Sequence, residues 1–272
     1  GPDAQRLGQN DRVEEDGGLR HLGLLQFVGR AGEHDVGNAE AEDFVGLLEK
    51  RFGLGNVIVE AFAHADGGWH LMGCMLSAAS CNKWLCDDIL KTTDYAAEQR
   101  DITPEKLGRN HVYFLPYLMG ERSPINDTNA RGTFIGMTMD TSRSDLVQAV
   151  LEGVAFAIRD SFEVARSLGL EIPSTKICGG GSKSPLWRTI FANVLGIPLE
   201  LLKTEQGPGY GGAMLAMVGC GQYESVQAAA DALVEVADRV EPDPELTARY
   251  EARYQQFRKI YPALRQVFPQ LR

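Results

Sequence analysis

Apolar residues recur at helical spacing over residues 144–168, which is the clearest helical pattern in the chain. They are Leu146, Val150, Val154, Ala157, Ile158, Phe162 and Ala165. Ser144 offers a side-chain cap for the first turn, and Gly169 can end the helix in a left-handed conformation. The pattern therefore predicts a long helix with one face in the core.

After this helix, short apolar runs alternate with helical patterns. Residues 175–178 and 197–203 have the length and composition of strands. Between them, Ser184 caps a helix that has Pro185 in its first turn and is stopped by Gly196. Further helices are predicted at 213–221, 223–240 and 243–266. Helices packed on a sheet place this region in the α/β class.

The region before the long helix begins with a hairpin pattern. Residues 58–65 and 69–76 are strand-like, and Asp66-Gly67-Gly68 supplies the turn between them. A helix is then predicted over 77–91, with Ser77 as its cap.

Residues 1–57 differ from the rest of the chain in composition. Residues 1–60 contain no Ser, Thr, Tyr, Trp or Cys, hold 11 of the 30 glycines, and carry 6 basic and 12 acidic residues. Glycines interrupt their apolar clusters, so we predict at most a short helix at 40–51 and a strand near 56–63. We therefore treat 1–57 as an atypical extension, expected to be poorly ordered or mis-framed, and 58–272 as the domain that carries function.

Composition and charge exclude several classes of protein. The chain has 272 residues and is 44% hydrophobic, which is enough for a globular core. Its net charge of −10 and its lack of a Lys/Arg-rich run argue against a nucleic-acid partner. No apolar run reaches membrane-spanning length, so we expect no membrane partner. Five cysteines in no metal-ligand pattern indicate reduced thiols in a cytoplasmic protein: Cys74, Cys81, Cys86, Cys178 and Cys220.

Two glycine-rich segments follow predicted strands and precede predicted helices. The first is Gly179-Gly180-Gly181-Ser182, and the second is Gly207-Pro208-Gly209-Tyr210-Gly211-Gly212. Glycine lets a ligand approach the backbone, and a helix N-terminus offers free N–H groups, so both segments suit a nucleotide. Glycine after a strand is also common as a purely structural turn, and that alternative stays open.

The second glycine segment matches G-x-G-x-x-G, the pattern of dinucleotide-binding folds. Such a fold also needs a following strand that ends in an acidic residue, whereas helices are predicted after Gly212. No G-x-x-x-x-G-K-[ST] motif occurs in the sequence, so a P-loop is excluded.

For the remaining polar and aromatic candidates, a structural role is at least as well supported as a functional one. His64 and His70 flank the predicted turn near three cysteines, but their spacing is not that of a metal site. Residues 112–118 predict a buried strand that leads into a polar loop over 120–132. The charged residues of this loop, Arg122, Asp127 and Arg131, could either bind an anion or form salt bridges with one another.

Three further residues are expected to have structural roles. They are Trp69, Trp84 and Glu152.

Several ordered motifs resemble the C-terminal domain of the FGGY family of carbohydrate kinases, over about residues 58–268. The stretch GTFIGMTMDTSRSDLVQAVLE (132–152) fits the signature of that domain at every constrained position. Similar in order and spacing are WHLMGCMLSAA (69–79), FLPYLMGERSPINDTNARG (114–132), CGGGSKSPLWRTIFANVLGIPL (178–199) and GYGGAMLAMVGCG (209–221). Within the family, these segments are most similar to those of the xylulokinase branch.

This resemblance implies an actin/hexokinase-type, ribonuclease H-like ATPase fold in which ATP and sugar bind between two α/β domains. The second domain, a mixed sheet with helices packed on it, holds the adenosine end of ATP. The residues assigned to this role are Gly179, Gly180, Gly181, Ser182, Ser184, Ala79 and Lys83. Two of these depart from the family pattern, because glycine is usual where Ala79 stands and asparagine is frequent where Ser184 stands.

The resemblance also implies groups that this chain does not carry. The first domain of such kinases supplies an Asp-x-Gly-Thr phosphate loop, the Mg²⁺ environment, the sugar pocket and an aspartate base, and no Asp-x-Gly-Thr occurs in 1–57. The family reaction, ATP plus D-xylulose giving ADP plus D-xylulose 5-phosphate, is therefore expected to be nearly absent in the chain alone. The alternatives are a non-catalytic nucleotide-binding or interaction remnant, and the C-terminal half of a glycerol, gluconate or ribulose kinase. Relatives often pair, so a homodimer is a candidate assembly.

Overall fold

A computed structural model of the chain describes residues 24–27, 60–67, 69–204 and 207–271. The helix predicted at 40–51 and the weak order expected of 1–57 lie outside these residues, apart from one strand described below. Over the ranges just given, no helix combines the length and the apolar character that crossing a membrane requires.

The first sheet is antiparallel and has the strand order β1-β3-β2. Its strands are β1 (Leu24–Phe27), β2 (Glu60–Ala63) and β3 (Trp69–Cys74). The predicted hairpin is confirmed, since β2 and β3 pair with Phe62 opposite His70, and Gly67 takes a φ of 89° in the turn. Strand β1 was not predicted, because its partner β3 lies more than forty residues further along the chain.

The helix predicted over 77–91 is present in two parts. It consists of α1 (Ala79–Lys83) and a π-helical segment, Trp84–Leu90. The predicted cap is wrong: Ala78 stands at the cap position, and no side chain caps the helix. Ser77 is buried ahead of α1 and uses its carbonyl to accept a hydrogen bond of 2.8 Å from the Cys81 thiol. A short helix, α2 (Tyr95–Gln99), follows.

Helix α3 (Arg143–Ser167) matches the clearest helical prediction, but its cap lies two residues before the predicted residue. Ser142, not Ser144, accepts from the Asp145 N–H, and the Asp145 carboxylate accepts in return from the Ser142 N–H at 2.8 Å. This reciprocal capping box selects Ser142, because only Ser142 has an acidic residue at the third position after it.

Strands β4 (Tyr113–Leu115) and β5 (Thr133–Ile135) form an antiparallel pair that packs on α3. The strand predicted over 112–118 is therefore present, though shorter. The two elements approach closely because Gly153 of α3 faces the backbone carbonyl of Phe114. This contact forms the centre of the hydrophobic core, which includes Leu115, Val150, Leu151, Val154, Phe156 and Phe162.

The third sheet carries the glycine-rich turn. Its strands are β6 (Thr175–Ile177), β7 (Leu199–Leu202) and β8 (Val236–Val240), with β6 parallel and β8 antiparallel to β7. Helix α4 (Pro185–Leu195) joins β6 to β7 and begins and ends as predicted, with Ser184 as its cap and Gly196 at a φ of 66°. Helix α4 packs on α3 and on the last long helix.

Two predictions after β7 are wrong. The second glycine segment is not a turn, because helix α5 (Gly207–Gly219) already begins at its first glycine. The helix predicted over 223–240 is a shorter helix, α6 (Val226–Leu233), followed by strand β8. Pairing with β7 overrides the weak helical pattern of this stretch.

The last predicted helix is confirmed as α7 (Pro244–Leu264). Its buried aromatic side chains surround Phe156 of α3, with ring centroids 5.3 to 6.1 Å apart. They are Tyr250, Tyr254 and Phe257. These contacts hold α7 on the core.

Candidate nucleotide site

The turn after β6 contains three glycines that the fold uses in different ways. Gly179 has a φ of 85°, a conformation that favours glycine. A Cβ on Gly181 would stand 3.1 Å from the Trp187 ring, so packing favours a glycine at that position. A Cβ on Gly180 would meet no atom within 4 Å, and its φ is not positive. The fold itself therefore gives no reason for a glycine at position 180.

The residues after Gly180 form a single short turn of 3₁₀ helix, Gly180–Lys183. The Ser182 hydroxyl is buried and donates to the Gly179 carbonyl at 2.7 Å, which closes the turn on itself. The turn leads directly into α4, whose N-terminus points its free N–H groups and the positive end of its dipole toward this region.

Ser184 connects the turn to the rest of the domain. Its hydroxyl oxygen accepts from the Trp187 N–H at 3.1 Å, and its hydroxyl proton is donated to Gln99 Oε1 at 2.6 Å. The Trp187 indole N–H in turn donates to the Leu151 carbonyl of α3 at 2.9 Å. With its proton committed to Gln99, the Ser184 hydroxyl can offer a ligand only an acceptor lone pair.

Ala79 and Lys83 lie at the two ends of α1. Lys83 forms an ion pair with Asp87, which also accepts from the Tyr95 hydroxyl at 2.8 Å. The hydrogen bond to Asp87 raises the pKa of Lys83, so this amine stays charged. Ala79 is half-buried and packs against the core.

Helix α2 joins the two groups of predicted nucleotide-contact residues. Its first residue, Tyr95, contacts the Lys83–Asp87 pair, and its last, Gln99, contacts Ser184. The structure therefore connects the positions near 80 with those near 180 through one short element. This bridge could not be predicted from the sequence, because α2 lacks any motif of its own.

A cavity of about 170 Å³ opens beside the glycine turn. It lies where the parallel strands β6 and β7 end and α5 begins, which is where open α/β sheets bind ligands. Its walls include Cys178, Thr204, Gly207, Tyr210, Gly211 and Glu235. The Tyr210 hydroxyl donates to the Leu233 carbonyl at 2.9 Å, which holds one wall in place. The second glycine-rich segment thus borders this cavity, and the first begins directly after the wall residue Cys178.

The histidine and cysteine candidates do not form a metal site. Among the residues with described positions, no three His, Cys, Asp or Glu side chains converge as metal ligands would. His64 pairs instead with Asp66 at 2.9 Å, and its ring lies edge-on to His70. Cys81 and Cys86 are buried thiols, and burial raises the pKa of Cys86 to about 11.

Asp127 and Arg131 of the polar loop bind partners other than each other. The Asp127 carboxylate accepts from the Tyr261 hydroxyl at 2.8 Å and from the Asn129 N–H at 2.8 Å. Arg131 donates to the carbonyls of Thr128 and Ala130 at 2.9 and 2.8 Å. These contacts order the loop without the Asp127–Arg131 salt bridge that was one alternative.

Glu152 and Trp84 occupy structural positions, as expected. The Glu152 carboxylate is buried and accepts from Gln148, Tyr250 and Arg253 at 2.8, 3.1 and 2.8 Å. The Trp84 ring stacks on Phe114 in the core, with centroids 6.2 Å apart. The side chain of Trp69 lies outside the described part of the chain.

Sequence analysis did not single out Glu121, a buried carboxylate of the same loop. Its Oε1 accepts from the N–H groups of Leu76 and Arg122 at 3.0 and 2.8 Å, whereas its Oε2 has no hydrogen-bond partner among the residues that the structure describes. Burial raises the pKa of Glu121 to about 7. The surrounding motif, GERSP, looks like an exposed polar loop, so only the folded structure shows this burial.

Residues 48–220 match the model of the FGGY family of carbohydrate kinases, C-terminal domain. The chain is 32% identical over 199 residues to the xylulose kinase of Staphylococcus epidermidis, covering 73% of this chain and 40% of that protein. It is 35% identical over 218 residues to the xylulose kinase of Escherichia coli, covering 76% of this chain and 43% of that protein. The chain thus spans less than half the length of these curated relatives.

Solved structures agree with the sequence matches. A xylulose kinase from Brucella ovis superimposes with a TM-score of 0.70 at 37% identity, over 77% of this chain and 43% of that one. A ligand-bound xylulose kinase from Lactobacillus acidophilus gives 0.70 at 25% identity, over 79% and 44%. The fold is therefore that of the actin/hexokinase-type sugar kinases, and the chain belongs to the FGGY family of carbohydrate kinases.

Proposed function

We propose that residues 58–272 form the adenosine-binding, C-terminal domain of an ATP-dependent xylulose kinase. The proposed reaction of the whole enzyme transfers the γ-phosphoryl group of ATP to D-xylulose, giving ADP and D-xylulose 5-phosphate. The observation that carries this proposal is Gly180, a glycine that neither backbone conformation nor packing requires, at a turn that opens a helix. Open backbone at such a place suits a nucleotide.

In this proposal, the chain's own residues bind and orient the nucleotide. We place the adenine ring in the 170 Å³ cavity between β7 and α5. We assign the ribose to Gly179 and Gly180, which follow the cavity residue Cys178 in the sequence. This volume is below the ~300 Å³ typical of complete small-molecule sites, so it takes only part of the ligand. The N-terminus of α4 supplies partial positive charge along the approach to the site, whereas the charge of Lys83 is paired with Asp87.

We assign no step of phosphoryl transfer to this chain. The transfer depends on groups that position the γ-phosphoryl and neutralise its charge, and ATP supplies only the phosphoryl group itself. A magnesium ion is expected from the family, but in the described part of the chain no cluster of three metal-ligating side chains exists to hold it. The metal ligands and the general base are proposed to lie in other residues of the complete enzyme.

The choice of D-xylulose as substrate is supported by the relatives. Those named xylulose kinase reach 35% identity over 76% of the chain, whereas a glycerol kinase from Trichodesmium erythraeum is 32% identical over 58%. A homodimer and a cytoplasmic location remain predictions of the family resemblance.

Calorimetry with ATP·Mg²⁺ and with ADP tests the nucleotide site. We expect both nucleotides to bind the 272-residue chain, and Gly180→Trp to abolish binding, because the indole would fill the space that we assign to the ribose. A Cβ at Gly219 also meets open space, at the far end of α5, so Gly219→Trp is the matched control and is expected to keep binding.

Two results would contradict the proposal. Unchanged nucleotide binding in Gly180→Trp would move the site away from the turn. No binding at millimolar nucleotide would favour the alternative of a non-catalytic remnant.

A further inference from the structure

A second cleft, of about 450 Å³, lies between α7 and the segment that precedes β4. We call it the arginine cleft and define it by Arg109, Tyr113, Arg249, Arg253 and Gln256. It shares no residue with the cavity beside the glycine turn. Its volume falls within the range of about 300–1,000 Å³ that is usual for small-molecule sites.

Arg253 is held rigidly at the base of the cleft. It is only 8% exposed, and its Nη2 donates to Glu152 Oε2 at 2.8 Å and to the Val112 carbonyl at 3.1 Å. Its guanidinium also lies over the Tyr113 ring, 4.3 Å from the centroid. The position of this arginine is therefore determined before any ligand arrives, which lowers the entropy cost of binding.

Arg249 lies one turn before Arg253 on the same helix, α7, and is also anchored. Its Nη1 donates to the Leu107 carbonyl at 3.1 Å. Gly108, at a φ of 71°, lets the chain pass so close that a Cβ there would stand 3.0 Å from the Arg249 Cβ. The backbone at 107–108 thus brings Arg249 and the neighbouring Arg109 to the same cleft.

The charges of the cleft are not balanced within the described residues. Glu152 neutralises Arg253, but no carboxylate of the described ranges lies within ion-pair distance of Arg109 or Arg249. The buried Nε atoms of Arg249 and Arg253 also lack a hydrogen-bond partner there. Arg109 and Arg249, two positive charges without a carboxylate partner among the described residues, thus line one open cleft in a chain whose net charge is −10.

We propose that the arginine cleft binds a small phosphorylated molecule through its phosphate dianion. Two guanidinium groups match a dianion in charge, and their planar N–H groups match phosphate oxygens in geometry. Tyr113 and Gln256 offer an aromatic edge and a side-chain amide to the organic part of such a ligand. The site is separate from the proposed nucleotide site and does not depend on it.

Titration of the full chain with ribose 5-phosphate, followed by nuclear magnetic resonance and calorimetry, tests this proposal. We expect ribose 5-phosphate to bind and unphosphorylated ribose not to bind, and binding to weaken as salt is added. Arg109→Glu is expected to weaken binding at least about tenfold, because it replaces an attractive charge by a repulsive one. Arg109 is exposed, and its side chain makes no hydrogen bond or ion pair among the described residues, so this variant should fold.

Arg100→Glu is the matched control, because Arg100 is exposed, carries the same charge and does not line the cleft. It should leave the affinity unchanged, and so should Gly180→Trp. The proposal is overturned if Arg109→Glu binds ribose 5-phosphate as tightly as the unaltered chain, or if ribose binds as well as its phosphate. Neither result bears on nucleotide binding at the glycine turn.

Discussion

Glu121 shows how a single buried carboxylate couples stability to pH. It is 2% exposed, and two backbone N–H groups satisfy one of its oxygens while the other remains without a partner. Desolvation outweighs those two hydrogen bonds and raises its pKa from 4.5 to about 7. The folded state therefore keeps a proton on Glu121 over a pH range in which the unfolded state has lost it.

Glu121→Gln is predicted to remove this coupling. Between pH 4.5 and 7 the folded state binds one proton more than the unfolded state, so the free energy of unfolding falls as pH rises. The variant keeps an oxygen acceptor and has no charge to bury, so its stability relative to the unaltered chain should rise over that range. The gain should approach about 3 kcal/mol above pH 7.

Urea unfolding at several pH values between 4 and 8 measures this difference. Glu171→Gln, which removes an exposed carboxylate, controls for the change in net charge. A constant difference between Glu121→Gln and the unaltered chain across the whole range would show that Glu121 does not hold a proton in the folded state.

At the scale of elements, the close approach of α3 and β4 depends on one glycine. A Cβ at position 153 would overlap the backbone carbonyl oxygen of Phe114, in the most buried part of the core. Neither element can move away without separating the buried side chains around them, because protein interiors are close-packed.

Gly153→Ala is therefore predicted to destabilise the chain by about 2–3 kcal/mol, the cost of overpacking a core. Gly212→Ala is the matched control, since it lies within helix α5 and its Cβ meets open space. That change should stabilise by about 0.5–1 kcal/mol, because alanine favours helix over glycine. Thermal and urea unfolding of both variants measure the contrast, and equal effects would show that α3 and β4 tolerate a wider separation.

The elements that sequence analysis predicted best are those with signals at both ends. Helix α4 is correct from its cap, Ser184, to its terminal glycine, because each signal acts within a few residues of the chain. Strand β8 and the π-helical segment were missed. Strand β8 forms by pairing with β7, which lies elsewhere in the sequence. The π-helical segment differs from an α-helix in a geometry that the apolar pattern does not distinguish.

For the whole molecule, the ratio of lengths leads to a prediction about activity. The chain covers 40 to 43% of the xylulose kinases to which it is compared, and no Asp-x-Gly-Thr motif occurs in it. We therefore expect the purified 272-residue chain to bind nucleotide without transferring phosphate to D-xylulose. A coupled assay of ADP formation with and without D-xylulose measures this. Sugar-dependent ADP release that Gly180→Trp removes would show that the chain is a complete catalyst.

The sequence by itself determined the family, the α/β class and the position of the glycine turn, because motifs, caps and apolar periodicity act over short stretches of chain. Only the tertiary structure decided that Gly180, among the three turn glycines, is required neither by packing nor by backbone conformation, since that depends on Trp187 and on backbone angles. The same holds for the burial of Glu121 and for the meeting of Arg109 with Arg249, which stand 140 residues apart. Burial and electrostatic contact are properties of groups brought together in space, and spacing along the chain does not reveal them.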